Sequence, residues 1–560
     1  MGITLFSVEG AFVSSVFIVV LYVAYRAVLP KPLPGIPYNR EAANSLLGDI
    51  PEMMRYVLRT KRIFCWLTSF TARHQSPIVQ VFIKPMTLPW VVVTDPFESQ
   101  DILLRRTKEF DRSGFFGEII GGILPEQHIQ FLSTDARFKD SRILINHLMA
   151  PTFISQVSAP DVYKSVCTLI KVWQAKYAAL DSIFASSFGL PEPESITINR
   201  LEAVKQWVPE VPENIDQPVP FPEGRIPEIF AAVLTLTNSL TDTQLSPAPV
   251  FTSWVIGKLP YMRKATAIKN QYIRNKVSES VRLIESGDTN PRSALHSVLL
   301  REKAVAEKDG RKPDYYKNVI VDEFFGLVAA GHDTTASAVA WGVKLLSGSD
   351  NARVQDILRT ALRTELAQAA RERRAPTYQE LAGAHVPYLD AVVEEVLRHA
   401  NTVSFVARRA QEDTTVLGCR IPRGTDVFMV ANGAGYLTPN MRIDDAMRSP
   451  GARSGGKALT GLWDDDGVAA FEPKRWLKVN PDTGVETFDP MAGPTLAFGL
   501  GPRGCFGKRL ALQALRIEFA LILWHFKLRE VPDALAGYEG VQKFAREPAR
   551  CYVRLENAGF

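Results

Sequence analysis

The feature that most constrains this chain is a segment of almost unbroken apolar character, Val319 to Leu346, reading VIVDEFFGLVAAGHDTTASAVAWGVKLL. Only Asp322, Glu323, His332, Asp333 and Lys344 interrupt it with ionisable groups. A helix that is apolar on every side has no face to give to water, so other elements must surround it. The charged loop before it, REKAVAEKDGRK, makes it begin afresh as its own element. The segment therefore predicts a large, mainly helical body built round one central helix.

The rest of the chain fits that plan. Tyr163 to Leu180, Thr266 to Ile284 and Arg353 to Arg373 carry apolar residues at three- and four-residue spacing with charges between. Ile78 to Thr94 is β-branched and apolar, broken by Pro85 and Pro89, and predicts a small β-sheet. Thr438 to Gly467, rich in Gly, Asp, Ser and Arg, reads as an exposed insertion. No linker after residue 40 divides the body, so 41–560 is expected to form one domain with a β-rich edge.

Charge and cysteine usage exclude several classes. A net charge of +5 from 65 basic and 60 acidic residues is too dilute for a nucleic-acid-binding surface. The five cysteines, Cys65, Cys167, Cys419, Cys505 and Cys551, are odd in number and form no CxxC pair, which argues against zinc and dithiol chemistry. Together with the absence of an N-x-S/T sequon, they favour a body in a reducing compartment.

The N-terminus differs. Gly10 to Tyr25, GAFVSSVFIVVLYVAY, carries no charge, and with Ala27 to Leu29 it reaches the roughly 20 residues a bilayer span needs. Arg26 can snorkel toward the headgroups. Lys31 and Arg40 follow the run, whereas Glu9 alone precedes it, which orients the N-terminus to the lumen and the body to the cytosol. A cleaved signal peptide is the alternative, but no basic n-region or small-residue cleavage site accompanies the run. The expectation is an anchor over 1–30, then a proline-rich hinge over 31–40 that sets the body at a fixed distance from a membrane.

The chemistry concentrates at FGLGPRGCFGKRLA, Phe498 to Ala511. Cys505 sits where a glycine-rich loop meets a helix starting at Lys508. Unsatisfied N–H groups, the helix dipole and a nearby arginine there all favour a thiolate. Gly501, Gly504 and Gly507 allow close backbone approach, and Phe498 supplies an aromatic face. A single thiolate on a rigid loop is one way of holding haem iron. A buried structural cysteine beside a glycine turn is the alternative for an isolated cysteine.

The spacing F-x-x-G-x-R-x-C-x-G, met by Phe498, Gly501, Arg503, Cys505 and Gly507, resembles the haem-binding loop of the cytochrome P450 family. Ala330-Gly331-His332-Asp333-Thr334-Thr335 resembles the family's A-G-x-D-T-T oxygen-activation motif. Gly331 beside the iron leaves room for a diatomic ligand. An adjacent acid and alcohol in an apolar helix can pass protons, although a threonine hydroxyl commonly bonds back to its own helix. By resemblance Thr334 is the proton-delivering alcohol and Asp333 its acidic partner.

Glu395-Val396-Leu397-Arg398 matches the family's E-x-x-R and precedes Cys505 by 110 residues. Phe471 to Trp476, FEPKRW, resembles its P-E-R-F segment, with Lys474 and Trp476 where glutamate and phenylalanine are common. The resemblance implies a structural triad of Glu395, Arg398 and Arg475. It also implies cations for the haem propionates: Arg503, Arg408 (with Arg409 as competitor), and Arg142 from FKDSR, where Phe138 replaces a tryptophan. Lys139, Arg142, Lys508, Arg509 and Arg516 would form a basic face for an acidic electron-transfer partner.

The resemblance thus implies a cytochrome P450-like fold, mainly α with small β-sheets, binding heme b through the Cys505 thiolate. It implies a monooxygenase using O2 and NADPH-derived electrons from NADPH-cytochrome P450 reductase on a small apolar substrate, at the endoplasmic reticulum membrane. The sequence style resembles filamentous-fungal members, often of secondary metabolism. Alternatives are a haem-thiolate isomerase or dehydratase that needs no reductase, and a non-catalytic haem sensor or carrier. Neither has use for an Asp333–Thr334 pair. Phe115, Phe116, residues 117–124, Phe325, Val328 and the residues after Arg398 are candidates to line the substrate pocket.

Overall fold

The computed structural model describes residues 8–173, 175–208, 214, 216–453 and 460–559. Seven helices position the site: α1 (Val8–Val28), α2 (Ala136–Ile145), α3 (Ala159–Val172), α4 (Ala175–Phe188), α5 (Asn318–Ser347), α6 (Pro387–Ala400) and α7 (Lys508–His525). The apolar segment is α5, 30 residues long, and α4, α6 and α7 pack against it. Two glycines set how closely. A β-carbon on Gly342 would lie 2.2 Å from Cζ of Phe519 on α7, and one on Gly331 would lie 2.9 Å from Cδ1 of Ile183 on α4. Gly331 therefore serves a helix crossing, a use that the motif reading did not assign to it.

Most of α5 is buried, as its composition demands. Besides its first turn and the half-buried Thr335, Ala336 and Ala340, it is open along one stripe: Ala330 is exposed, and Leu327, Gly331 and Thr334 are half-buried. Positions i, i+3, i+4 and i+7 lie on one face of a helix. Phe325 and Val328, expected to line a pocket, are instead buried in the core beneath α4. Phe115 is likewise core, packed edge-on against Trp90, Phe405 and Phe428, while Phe116 stays half-buried and stacks on Phe405.

A five-stranded sheet forms the β-rich edge. Its strands are β1 (Ile78–Val81), β2 (Trp90–Val93), β3 (Phe110–Arg112), β4 (Phe405–Ala410) and β5 (Asp426–Val430), ordered β1-β2-β5-β4-β3. Only β2 and β5 run parallel; the other pairs are antiparallel.

The proline-rich hinge is part of this sheet's packing. Gln80 on β1, wholly buried, donates to the carbonyls of Leu33 (2.9 Å) and Ile36 (2.7 Å) and accepts from the Leu33 amide (2.8 Å). The stiff spacer expected here is therefore docked on the body at its middle. Among the described residues no helix is long and apolar enough to cross a membrane. The first seven positions of the expected anchor, and the side chains of 8–13, lie outside those residues.

Two periodic segments break where no glycine or proline marks a stop. Tyr163 to Leu180 divides between α3 and α4 at Trp173, which takes a left-handed conformation (φ 51°). Arg353 to Arg373 divides at Leu366. The 438–467 segment is anchored rather than a loose insertion: Arg448 pairs with Asp95 at 2.7 Å, and Ala452 and Trp463 are buried. Positions 454–459 fall outside the described residues.

Glu518 on α7 is 2% exposed, and its Oε2 has no hydrogen-bond partner among the described residues. Burial pushes its carboxyl up to about 8. Between the ordinary carboxylate range and pH 8 the folded chain keeps a proton that the unfolded chain loses, so this group makes stability fall as pH rises. Glu518→Gln is expected to flatten that decline and to gain on the order of a few kcal/mol at pH 8, with little change at pH 4.5. Urea unfolding at both pH values checks it; equal slopes for the two proteins would refute the assignment.

Candidate functional site

Cys505 is held by its own loop. Its amide donates to the Phe498 carbonyl at 2.7 Å, and the Gly504 amide donates to Gly501 at 2.9 Å. Gly501 has φ +70°, and a β-carbon there would meet the Leu103 carbonyl oxygen at 2.1 Å, so only glycine fits. The cysteine is solvent-accessible yet ringed by protein, which places its sulfur at a cleft rather than on the open surface.

Burial pushes the Cys505 thiol up, and this outweighs the Gly507 and Lys508 amides and the Lys508 charge that pull it down. The expected contribution of Arg503 is absent, because its guanidinium turns away. The loop alone therefore favours a thiol, and a thiolate here calls for a further cation such as a bound metal, which deprotonates a coordinating thiol.

A cluster of buried cations lies on the sheet. In the β3–β4 register Arg112 stands directly opposite Arg408, and Asp111 opposite Arg409. Arg409 is taken by Asp426, through Nε at 2.9 Å and Nη2 at 2.7 Å. Among the described residues the Arg408 side chain, 3% exposed, donates only to the Ala407 carbonyl. Arg503 donates to the carbonyls of Ile129 and Phe131 at 3.0 and 2.9 Å and lies over the Phe138 ring at 3.9 Å.

Among the described residues, none of Arg112, Arg408 and Arg503 has a carboxylate within ion-pair distance, and the Nε atoms of Arg112 and Arg503 have no partner. Burial pushes Arg408 and Arg503 down to about 10, and Arg112 well down; repulsion from Arg503 adds to the effect on the other two. Like charges opposed across strands destabilise a sheet unless an anion joins them. Arg112 escaped sequence reasoning because nothing marks it until β3 pairs with β4. Arg142, by contrast, lies over the Phe506 ring at 4.7 Å, next to the cysteine.

On α5 the Thr334 hydroxyl donates to the Ala330 carbonyl at 2.7 Å, the back-bond weighed above, which leaves its oxygen free to accept. Asp333 is buried beside it, with one carboxylate oxygen 2.9 Å from Nδ1 of His332. A separate connection links α5 to the cysteine loop. Glu323 accepts from the backbone amide of His128 and contacts its Nδ1, both at 2.7 Å, and the His128 ring meets Phe506 edge-on at 6.2 Å.

The triad assembles. Glu395, 0% exposed, accepts from Arg398 Nη2 (2.8 Å) and Nε (2.9 Å) and from Arg475 Nε (3.1 Å). Burial would push this carboxyl up, but the bonds from Arg398 and His399 hold it well below the usual range. Trp476 adds what phenylalanine would lack, an indole N–H donated to Glu395 at 2.9 Å. Trp463, from the segment read as an insertion, lies beneath both arginines and packs on Trp476.

The cytochrome P450 family profile matches residues 203–436 and 469–548. The cytochrome P450 monooxygenase TRI13 of Fusarium sporotrichioides is 34% identical over 96% of this chain and 97% of its own length. The cytochrome P450 monooxygenase GME11363 of Pestalotiopsis microspora is 34% identical over 97% of each. The Hps1-dma1 cluster cytochrome P450 monooxygenase cyp3.1 of Dothistroma septosporum is 37% identical over 51% of this chain and 96% of its own.

The chain belongs to the cytochrome P450 family. It is a P450 monooxygenase, and the family implies a haem with a thiolate ligand, a redox partner and an organic substrate. The residues present fit that haem: an accessible thiol at a cleft, and buried guanidinium groups lacking the anions that two propionates would bring. The basic face is smaller than expected in this P450. Arg516 pairs with Asp390 and Arg142 covers Phe506, which leaves Lys139, Lys508 and Arg509 exposed.

Trp476→Phe, which restores the residue common in P450s, is expected to cost about 1–3 kcal/mol by removing a donor to a buried carboxylate. Urea unfolding of the holoenzyme measures this; an unchanged midpoint would show that the indole N–H contributes nothing.

Proposed function

We propose that this P450 is a membrane-anchored monooxygenase, with one haem domain over 41–560, that takes electrons from NADPH-cytochrome P450 reductase. Its substrate would be a small apolar molecule of a fungal secondary-metabolite pathway. The observation that carries the reading is Thr334 on the accessible stripe of α5 with the buried acid Asp333 adjoining it in sequence. An isomerase or a haem carrier has no use for such a pair.

When bound, haem supplies the one-electron and dioxygen chemistry. Cys505 Sγ would hold the haem iron as a thiolate. Arg112, Arg408 and Arg503 bind the propionates, with Arg142 behind them on Phe506. Thr334 Oγ1 holds the proton to be delivered, and the Asp333 carboxyl replaces it. Leu327 and Ala330 offer an apolar face that excludes water and holds substrate. Glu395, Arg398 and Arg475 act structurally, and Phe498 packs in the core beside the loop.

Further features support the partners. Val16 to Val23 on α1 are 47–64% exposed, and Val250, Phe251 and Trp254 are 61–63% exposed. Apolar surface of that extent favours a lipid environment; with the charge bias around the run, it supports a single-pass anchor in the endoplasmic reticulum and a cytosolic body. Lys139, Lys508 and Arg509 offer a basic patch beside the cysteine loop to an acidic reductase. The cluster named for the Dothistroma relative supports a biosynthetic setting.

The deciding experiment is the carbon monoxide difference spectrum of the full chain reduced by NADPH and the reductase. A long-wavelength Soret band is expected, and Cys505→Ser should abolish it. A band that forms only with a chemical reductant would argue for the isomerase or carrier reading; a band kept by Cys505→Ser would refute the ligand. The Arg112→Ala/Arg408→Ala double variant is expected to retain haem less well through desalting, with more than tenfold faster loss to apomyoglobin. Unchanged transfer would remove both residues from the propionate site.

A further inference from the structure

The proposed proton-delivery pair leaves one neighbour unexplained. His332, the variable residue of the A-G-x-D-T-T segment, is 0% exposed on α5. Both ring nitrogens lack a hydrogen-bond partner among the described residues, although Nδ1 lies 2.9 Å from Oδ1 of Asp333. The distance is that of a hydrogen bond and the ring plane is not turned to make it. A wholly buried imidazole without any bonded nitrogen is costly, and the nearby acid is an acceptor that relieves that cost.

We propose that His332 is a positioning residue for Asp333: its Nδ1–H donates to Oδ1 and so holds Oδ2 toward Thr334. The inference rests on the acid–alcohol reading of Asp333 and Thr334. A carboxyl group has two oxygens and rotates about one bond, so a proton donor on a helix needs something to choose which oxygen faces the recipient. Thr334 follows Asp333 directly and His332 precedes it, so a single helical turn holds the positioning group, the acid and the alcohol. No net chemistry occurs at the imidazole.

Asparagine and glutamine separate this role from mere packing. The amide nitrogen of asparagine can occupy the place of Nδ1, whereas that of glutamine reaches the place of Nε2. The test uses the infrared stretching band of carbon monoxide on the reduced full-length holoenzyme, which reads the polarity of the distal side without any substrate. Retention of the long-wavelength Soret band certifies that each variant has folded with its haem.

His332→Asn is expected to leave the band in place, whereas His332→Gln and His332→Leu should shift and broaden it, as should Asp333→Asn. If Asp333→Asn and Thr334→Ala shift the band while the Gln and Leu variants do not, His332 positions nothing and this proposal falls alone. A band displaced as far by His332→Asn as by His332→Leu also overturns it. If neither Asp333→Asn nor Thr334→Ala moves the band, the acid–alcohol reading itself fails, and this inference with it.

Discussion

One carboxylate organises the region around the cysteine loop. Glu395 has no access to water, and a lone buried charge would be prohibitively costly. It persists because donors arrive from two parts of the chain: Arg398 within α6, and Arg475, Trp476 and the Glu472 amide from the 472–476 turn. Arg398 then reaches onward to the carbonyls of Tyr436, Val468 and Ala470. The segments between β5 and the cysteine loop thus hang on a group that tolerates no loose partner. Breaking a buried pair costs more than making it gains, so the arrangement specifies geometry more than it adds stability.

The opposite condition holds at the sheet. There Arg112 and Arg408 lie buried near the half-buried Arg503, Asp111 is among the described residues the acid that offsets them, and it is already bonded to the amide and hydroxyl of Ser133. One site has surplus donors gathered on an anion; the other has cations waiting for anions. The second reaches the cysteine loop through Arg503, two residues before Cys505. Charge balance there is divided between the protein and the group it holds, which makes the polypeptide a partial solution until that group is bound.

How much of this was legible in sequence depended on distance along the chain. The central helix was legible from composition alone, since no other environment suits Val319 to Leu346. Glu395, Arg398 and Arg475 were legible because each lies in a spaced motif. Arg112 was not: its meaning comes from Arg408, 296 residues later, through a strand register that no local pattern records. Trp476 looked like a departure from the family pattern and is instead an extra donor. Phe325 and Val328 were misplaced because periodicity defines the faces of a helix without saying which one meets a ligand. Trp173 ended a helix in a left-handed conformation, for which tryptophan gives no signal.

The hinge offers a practical consequence. Gln80 sits in the wall of the sheet, and its side chain has the Leu33 and Ile36 backbone as its partners. A shortened chain starting at residue 29 keeps that side chain satisfied. One starting at residue 41 strips the Gln80 amide of all three of these bonds, removes Leu33 and Ile36 from the core, and opens the apolar wall around them to water. The packed body therefore begins inside the prolines, not after them, and any N-terminal truncation of this protein has to be cut with that amide in mind.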